Sequence, residues 1–290
     1  MAIFLLLSIG LRAGVAVEKV GLGRVLIPAL TSIIMGVLIT AAAYYILLKI
    51  LSLDPSNAGS IAGHYGAVSS VTLAACIVFL DQMKVPFERF IPALYPFTDT
   101  AALITAIVLG RAGVRAINNN NENGLDISAI LREAITSKPS VLLLGGFIIG
   151  FINGAQGIKS VMPFFDTLFP GVITLFMLDM GLLATVGLRE LKTVNKHIFS
   201  FALLMPPLHA LAAILLATAI GLSPGGATIF SVLAAGASYI SAPVVMRTAL
   251  PQANPSLSFG IALGITFPFN VTVGIPLYYQ IAVMAAGLFP

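Results

Sequence analysis

The sequence consists mainly of apolar runs that are nearly free of charged residues. A helix needs about 20 apolar residues to cross the hydrocarbon core of a bilayer. A transmembrane β-barrel would instead show strands of about ten residues with alternating polarity. The pattern therefore predicts an all-α polytopic membrane protein. Its nine candidate spans are residues 1–17, 24–50, 59–80, 89–110, 139–156, 167–188, 197–221, 227–250 and 257–288.

Composition excludes the common soluble classes of protein. Of the 290 residues, 58% are hydrophobic and 9% are charged, whereas about a quarter of a soluble domain is charged. The net charge is +4, yet the sequence has no basic run of the kind that binds nucleic acid. It also has no nucleophile–base pairing, no HExxH motif and no phosphate-binding glycine loop. We therefore expect neither an enzyme, nor an organic cofactor, nor a nucleic-acid partner.

One long polar segment, residues 111–138, divides the chain into two halves. If this segment is cytoplasmic, nine Lys/Arg residues lie inside and five outside, which satisfies the positive-inside rule. We therefore predict a first repeat over residues 1–110, a cytoplasmic central loop over 111–138 and a second repeat over 139–290. The expected location is the cell membrane.

The two halves carry similar short motifs in the same order. At an offset of 169 to 172 residues, four pairs of motifs align. Chance similarity between apolar runs would rarely keep both order and spacing, so the pattern indicates an internal repeat. The pairs are LSIGLRAGVAV from Leu7 with LDMGLLATVGL from Leu178, LDPSNA from Leu53 with LSPGGA from Leu222, GAVSS from Gly66 with GASYIS from Gly236, and YPFTD from Tyr95 with FPFNV from Phe267.

Equivalent helices of the two halves are separated by an odd number of predicted crossings, so the halves enter the membrane from opposite sides. Secondary transporters use such inverted-topology repeats and bind substrate near the membrane midplane between them. The second half contains an additional apolar run, beginning at Val141, before its first motif. Symmetry places the counterpart of this run before Met1. We therefore expect the chain to carry nine helices of a ten-helix fold built from inverted five-helix repeats.

Two spans, 59–80 and 227–250, are poor uniform helices because Gly, Ser, Tyr, Thr or Pro cluster at their centres. Such clusters are typical of discontinuous helices, whose freed backbone groups need a cavity or a neighbouring helix. The N-termini of half-helices carry partial positive charge, which suits a small anion. The alternative is that the small residues only allow close helix packing. The predicted substrate contacts are Gly66, Ala67, Val68, Ser69 and Ser70 in one half, and Ala237, Ser238, Tyr239, Ile240 and Ser241 in the other.

Two carboxylates, Asp99 and Asp179, lie deep within predicted spans. Each costs about 2.5 to 3.5 kcal/mol on insertion scales and needs a cation, a proton or a polar partner. Asp99 aligns within a residue of Asn270, and both follow an aromatic-Pro-Phe triplet that frees backbone carbonyls. Oxygen ligands of this kind suit sodium better than a transition metal. We predict a cation site from Asp99, Thr98, Asn270, Thr266 and Asp179, with sodium at Asp99 and Asn270; a helix–helix hydrogen bond is the alternative role for each carboxylate.

Two long blocks of the sequence resemble the sodium-dependent bicarbonate permeases of the cyanobacterial type. The first block is GAVSSVTLAACIVFLDQMKVPFERFIPALYPFTDTAALITAIV, and the second is GASYISAPVVMRTALPQANPSLSFGIALGITFPFNVTVGIPLYY. The resemblance implies ten helices in two inverted repeats, with two crossed discontinuous helices that hold bicarbonate and sodium near their breaks. On this resemblance we expect the first family helix to be absent from this chain, and SSVT stands where SGST is expected in the family.

Carried over to this sequence, the resemblance places the substrate-proximal breaks at residues 66–70 and 236–241, and the cations near Asp99 and Asn270. It implies sodium-coupled bicarbonate import by alternating access and a homotrimer. It also suggests a regulatory protein of the PII-like type at the cytoplasmic face, where residues 111–138 are similar in position to the family's central loop.

Three other functions remain open from the residues themselves. A cation/proton antiporter would use Asp99 or Asp179 as its proton carrier and would show pH-dependent exchange without an anion. A sodium-coupled organic-anion importer would differ from a bicarbonate importer in the size of its cavity. A transport-inactive membrane sensor or scaffold would bind a partner through residues 111–138 and show no flux.

Overall fold

All regular secondary structure in the described part of the chain is helical. The computed structural model describes residues 2–118, 132, 136, 138–190 and 195–287. In the first half, the helices are α1 (Ala2–Val20), α2 (Leu22–Tyr45, continued by a π-helical turn at Ile46–Ile50), α3 (Pro55–Gly66), α4 (Ser70–Gln82) and α5 (Tyr95–Asn118, preceded by a 3-10 turn at Ile91–Leu94).

The second half follows a similar order with more irregular helices. It contains α6 (Lys138–Gly157), α7 (Met162–Glu190), α8 (Lys196–Ala219), α9 (Pro224–Ala235), α10 (Ser241–Ala249), α11 (Pro255–Ile261) and α12 (Ile275–Ala286). Between α11 and α12 the chain forms two π-helical turns, Ala262–Thr266 and Asn270–Gly274, on either side of the short helical turn Phe267–Phe269.

Five segments of the described residues are long and apolar enough to cross a membrane, judged by length and composition. The chain is therefore a multi-pass membrane protein. Helices also occupy the other predicted spans, but the full arrangement of nine spans in inverted repeats stays a prediction. The five segments are Leu22–Ile50, Pro55–Gln82, Ile91–Ile117, Lys196–Ala219 and Pro255–Ala286.

The boundary of the predicted central loop was wrong at its start. Helix α5 continues through Asn118, so residues 111–118 are helical rather than part of a loop. Arg111 and Arg115 lie one turn apart near the C-terminal end of α5, where cations interact favourably with the helix dipole. The Arg111 Nε atom also donates a hydrogen bond to the carbonyl of Ala249, at 2.9 Å. Most of the remaining loop lies outside the described residues.

Helices α3 and α9 begin in the same way, as the repeat predicts. Asp54 caps α3 by accepting hydrogen bonds from the backbone N–H groups of residues 56 and 57, and Pro55 occupies the first turn. Ser223 caps α9 by accepting from Gly226, and Pro224 occupies the first turn. Proline suits this position because its missing N–H would be unpaired there anyway. Each helix then runs for 12 residues before the chain leaves helical geometry.

Helices α1 and α6 approach each other closely through glycines. Gly10 and Gly14 form a GxxxG pair on α1, and Gly146 and Gly150 form another on α6. A Cβ atom on Gly146 would lie 2.7 Å from the carbonyl oxygen of Leu7. Small residues at this spacing allow two membrane helices to bring their backbones together. This crossing holds the N-terminal helix of the first half against the second half.

Candidate functional site

The first predicted helix break is present in the backbone. Helix α3 ends at Gly66, and Ala67 is extended, with φ −77° and ψ 147°. Ser69 is also extended and starts α4, because its side chain accepts a hydrogen bond from the N–H of Thr72 at 3.3 Å. All residues of this break are buried, which includes Gly66, Ala67, Val68, Ser69 and Ser70.

The second predicted break is present at the matching position. Helix α9 ends at Ala235, Gly236 is extended, and α10 begins at Ser241. The hydroxyls of Ser238 and Ser241 are 2.8 Å apart, and the Ser238 hydroxyl accepts a bond from the N–H of Ala242 at 3.3 Å. Ala237, Ser238, Tyr239 and Ser241 are buried, whereas Ile240 is half-buried.

The two breaks are in contact with each other. The N–H of Ser238 donates to the carbonyl of His64 at 2.7 Å, which joins the second break to the last turn of α3. A Cβ atom on Gly236 would lie 2.8 Å from the backbone nitrogen of Ser69. Only glycine permits this approach without displacement of the neighbouring backbone. The unpaired backbone groups of both broken helices are therefore concentrated in one buried region.

Asp99 joins the two breaks through one carboxylate. Its Oδ1 atom accepts from the N–H of Val68 at 2.9 Å and from the Ser241 hydroxyl at 3.4 Å. Its Oδ2 atom is buried and has no hydrogen-bond partner, and the residue is 1% exposed. A buried carboxylate oxygen without a partner is costly. A cation or a proton at Oδ2 would remove that cost.

Asn270 has the equivalent place in the second half. Its Nδ2 atom donates to the carbonyl of Ala235 at 2.7 Å, and its Oδ1 atom accepts from the Tyr278 hydroxyl at 2.7 Å. Ala235 is the last residue of α9, so its carbonyl lacks a helical partner. Asp99 and Asn270 therefore each bond to the break of their own half. No hydrogen bond of the described residues joins the two, and a sodium site that uses both stays a prediction.

The other predicted cation ligands are differently placed. Thr98 is buried and donates to the carbonyl of Leu94, in the 3-10 turn just before α5, at 3.3 Å. Thr266 is buried, donates to the carbonyl of Ala202 at 2.7 Å and lies 2.6 Å from the Tyr65 hydroxyl. Asp179 lies on α7, and its side chain is outside the described part of the structure. Within the described residues, no group of three His, Cys, Asp or Glu is gathered as a metal site.

His64 is a further polar residue at the break, marked in the sequence only by its position just before the first Gly/Ser cluster. Its Nδ1 atom lies 2.8 Å from the carbonyl of Ser60, whereas Nε2 is buried without a partner. The residue borders a cavity of about 500 Å³ that also reaches Arg247 and Phe259. Because the carbonyl of His64 bonds to Ser238, this cavity lies directly beside the contact between the breaks.

A comparison of the sequence with models of protein families identifies the family of this chain. Residues 1–283 match the model of the Na+-dependent bicarbonate transporter superfamily. The chain belongs to this superfamily. Membership in the Na+-dependent bicarbonate transporter superfamily confirms the resemblance found in the sequence and identifies a transporter family rather than an enzyme family. No curated protein matches the chain.

Proposed function

We propose that the chain imports bicarbonate together with sodium, by alternating access around the two contacting helix breaks. The observation that supports this proposal most directly is the unpartnered Oδ2 atom of Asp99, buried where both breaks meet. A sodium ion at this oxygen would neutralise the carboxylate. It would also allow an anion to bind nearby without facing a bare negative charge.

The bicarbonate ion would lie at the starts of α4 and α10. Both helices begin inside the protein, at Ser70 and Ser241, so their N-terminal N–H groups and partial positive charge face the buried region. The hydroxyls of Ser69, Ser238 and Ser241 add further donors. An anion removed from water needs such donors because the surrounding side chains are apolar.

The coupling to sodium has a simple energetic reason. At a membrane potential of 100 mV, negative inside, importing one negative charge costs about 2.3 kcal/mol. One sodium ion cancels that charge, and a tenfold sodium gradient then contributes about 1.4 kcal/mol. We propose that the two repeats move against each other to expose the site to each side in turn.

Uptake of labelled bicarbonate into proteoliposomes tests this function. We expect uptake to require an inward sodium gradient and to be unaffected by a proton gradient. Proton-driven exchange that needs no anion would identify an antiporter that uses Asp99 as its proton carrier. Sodium-driven uptake of larger carboxylates but not of bicarbonate would identify an organic-anion importer. A folded chain without any flux would identify a sensor or scaffold.

The remaining proposals rest on what the resemblance to the family implies. We propose a homotrimer in the cell membrane, with the polar segment 111–138 on the cytoplasmic side as the contact for a PII-like regulator. The helical end of α5, with Arg111 and Arg115, would provide the first part of that contact. Mass measurement of the purified protein in detergent tests the trimer.

The contact between the breaks gives a specific prediction at Gly236. We expect Gly236→Ala to lower bicarbonate uptake about tenfold or more, since the new methyl group would push the Ser69 backbone away. Gly171→Ala is the matched control, because a Cβ there meets nothing within 4 Å. Uptake at equal protein insertion checks the prediction. Equal activity of both variants would show that the breaks need not touch during transport.

A further inference from the structure

A second polar cleft lies beside the C-terminal half of α1. Its volume is about 690 Å³. Helices α1, α6 and α7 form one wall, and Asp81 of α4 with Arg89 of the following loop forms the other. Its charged lining residues are Arg12, Lys19, Asp81, Arg89, Lys159 and Asp166.

Each wall of this cleft has its own ion pair. Arg12 of α1 pairs with Asp166 of α7 at 2.7 Å, and Arg89 pairs with Asp81 at 2.9 Å. Among the described residues, no salt bridge crosses from one wall to the other.

The cleft carries excess positive charge. Neither Lys19 nor Lys159 has a carboxylate partner among the described residues, so the lining has four cations against two carboxylates. Glu18 of α1 is also near the cleft. Its carboxylate lies next to α6, 3.5 Å from where a Cβ atom on Gly154 would be. A concave surface of one charge raises the local concentration of the opposite ion.

Both arginines border one narrow crevice between the walls. Arg12 and Arg89 line it together with Ile77, Phe87 and Pro92. The Arg12 guanidinium also lies 4.6 Å from the centre of the Phe169 ring, and its Nε atom is buried without an acceptor. Each guanidinium has one carboxylate partner and further N–H groups, and an oxyanion in the cleft would accept hydrogen bonds from those groups.

We propose that this cleft is a second anion site, in which Arg12 and Arg89 hold a small planar oxyanion such as bicarbonate before it reaches the helix breaks. The role in entry rests on the proposed function, whereas binding of the anion does not. The shared chemistry would also suit the phosphate headgroup of an anionic lipid, and the experiment separates the two sources.

The binding part can be tested without transport. Cys76 is the only cysteine of the sequence and is buried, so Ala155→Cys introduces a single reactive thiol at a residue that lines the cleft. In detergent micelles, we would compare its reaction rates with an anionic and a cationic methanethiosulfonate reagent. We expect the anionic reagent to react at least about tenfold faster at low ionic strength. Millimolar bicarbonate should protect the thiol.

Charge neutralisation supplies the controls for this measurement. Arg12→Gln with Arg89→Gln should bring the rate ratio close to one and remove the protection by bicarbonate. Lys84→Gln, in the same loop as Arg89 but outside the cleft lining, should leave the ratio within about twofold. An anionic-to-cationic rate ratio that stays the same when both arginines are replaced would overturn the proposal. Protection of the thiol by anionic lipid but not by bicarbonate would also overturn it.

Transport then tests the role in entry. With sodium present, we expect Arg89→Gln to raise the KM for bicarbonate about tenfold and leave kcat nearly unchanged, since the arginine concentrates the anion but lies away from the breaks. An unchanged KM with the expected thiol protection would overturn entry through this site. Thiol protection without any sodium-driven uptake would instead contradict the proposed function and leave the anion site standing.

Discussion

Replacement of Asp99 by asparagine is expected to abolish sodium-dependent bicarbonate uptake while the helical fold is retained. The amide keeps an oxygen that can accept from the N–H of Val68, so the bond that holds the first break survives. It removes the negative charge and leaves no carboxylate oxygen for a cation. A buried charge of this kind is worth about 3 kcal/mol, which corresponds to a loss of about 100-fold in sodium affinity.

The measurement compares initial uptake rates over a range of sodium concentrations, at equal amounts of inserted protein. Asp54→Asn is the matched control, because asparagine also caps a helix well and Asp54 lies at the start of α3, away from the breaks. We expect this control to keep uptake within about twofold. Sodium-dependent uptake that persists in Asp99→Asn would exclude this carboxylate as the cation ligand and place the coupling ion elsewhere.

The glycine crossing of α1 and α6 provides the prediction with the largest effect on stability. We expect Gly150→Leu to destabilise the protein by about 3 kcal/mol or more, because a side chain there meets the backbone of Leu11 in the opposite helix. A backbone carbonyl cannot move aside as a flexible side chain can. The two helices would have to separate, which would expose the close-packed faces that hold the halves together.

Thermal unfolding in detergent checks this prediction. Gly145→Leu is a strict control, since this residue is on the same helix and a Cβ there meets nothing within 4 Å. Both substitutions improve helix propensity equally, so propensity cannot explain a difference between them. We expect Gly145→Leu to unfold at or above the temperature of the parent protein. Equal stability of the two variants would contradict a close-packed crossing.

Local features of the sequence predicted much of the helix pattern. The long apolar runs located the helices, and the Gly/Ser clusters located both breaks, because glycine, serine and proline disfavour helix geometry wherever they occur in the chain. The motif pair LDPSNA and LSPGGA indicated equivalent places in the two halves, and the structure has a capped helix start at each. The end of α5 was missed because Asn residues and charges there resemble a loop, although Arg111 is held by a carbonyl on α10.

The sequence by itself thus determined that this chain is a helical membrane protein with two interrupted helices and a carboxylate, Asp99, within an apolar span. Those properties depend on hydropathy and backbone propensity, which are set by residues that are close together in the sequence. Only the tertiary structure decided that Asp99 bonds to Val68 in the first half and to Ser241 in the second. It also decided that Asn270 bonds to Ala235 and that glycines of α1 and α6 lie at one helix crossing. These contacts join residues far apart in the chain, and their geometry depends on how whole helices pack.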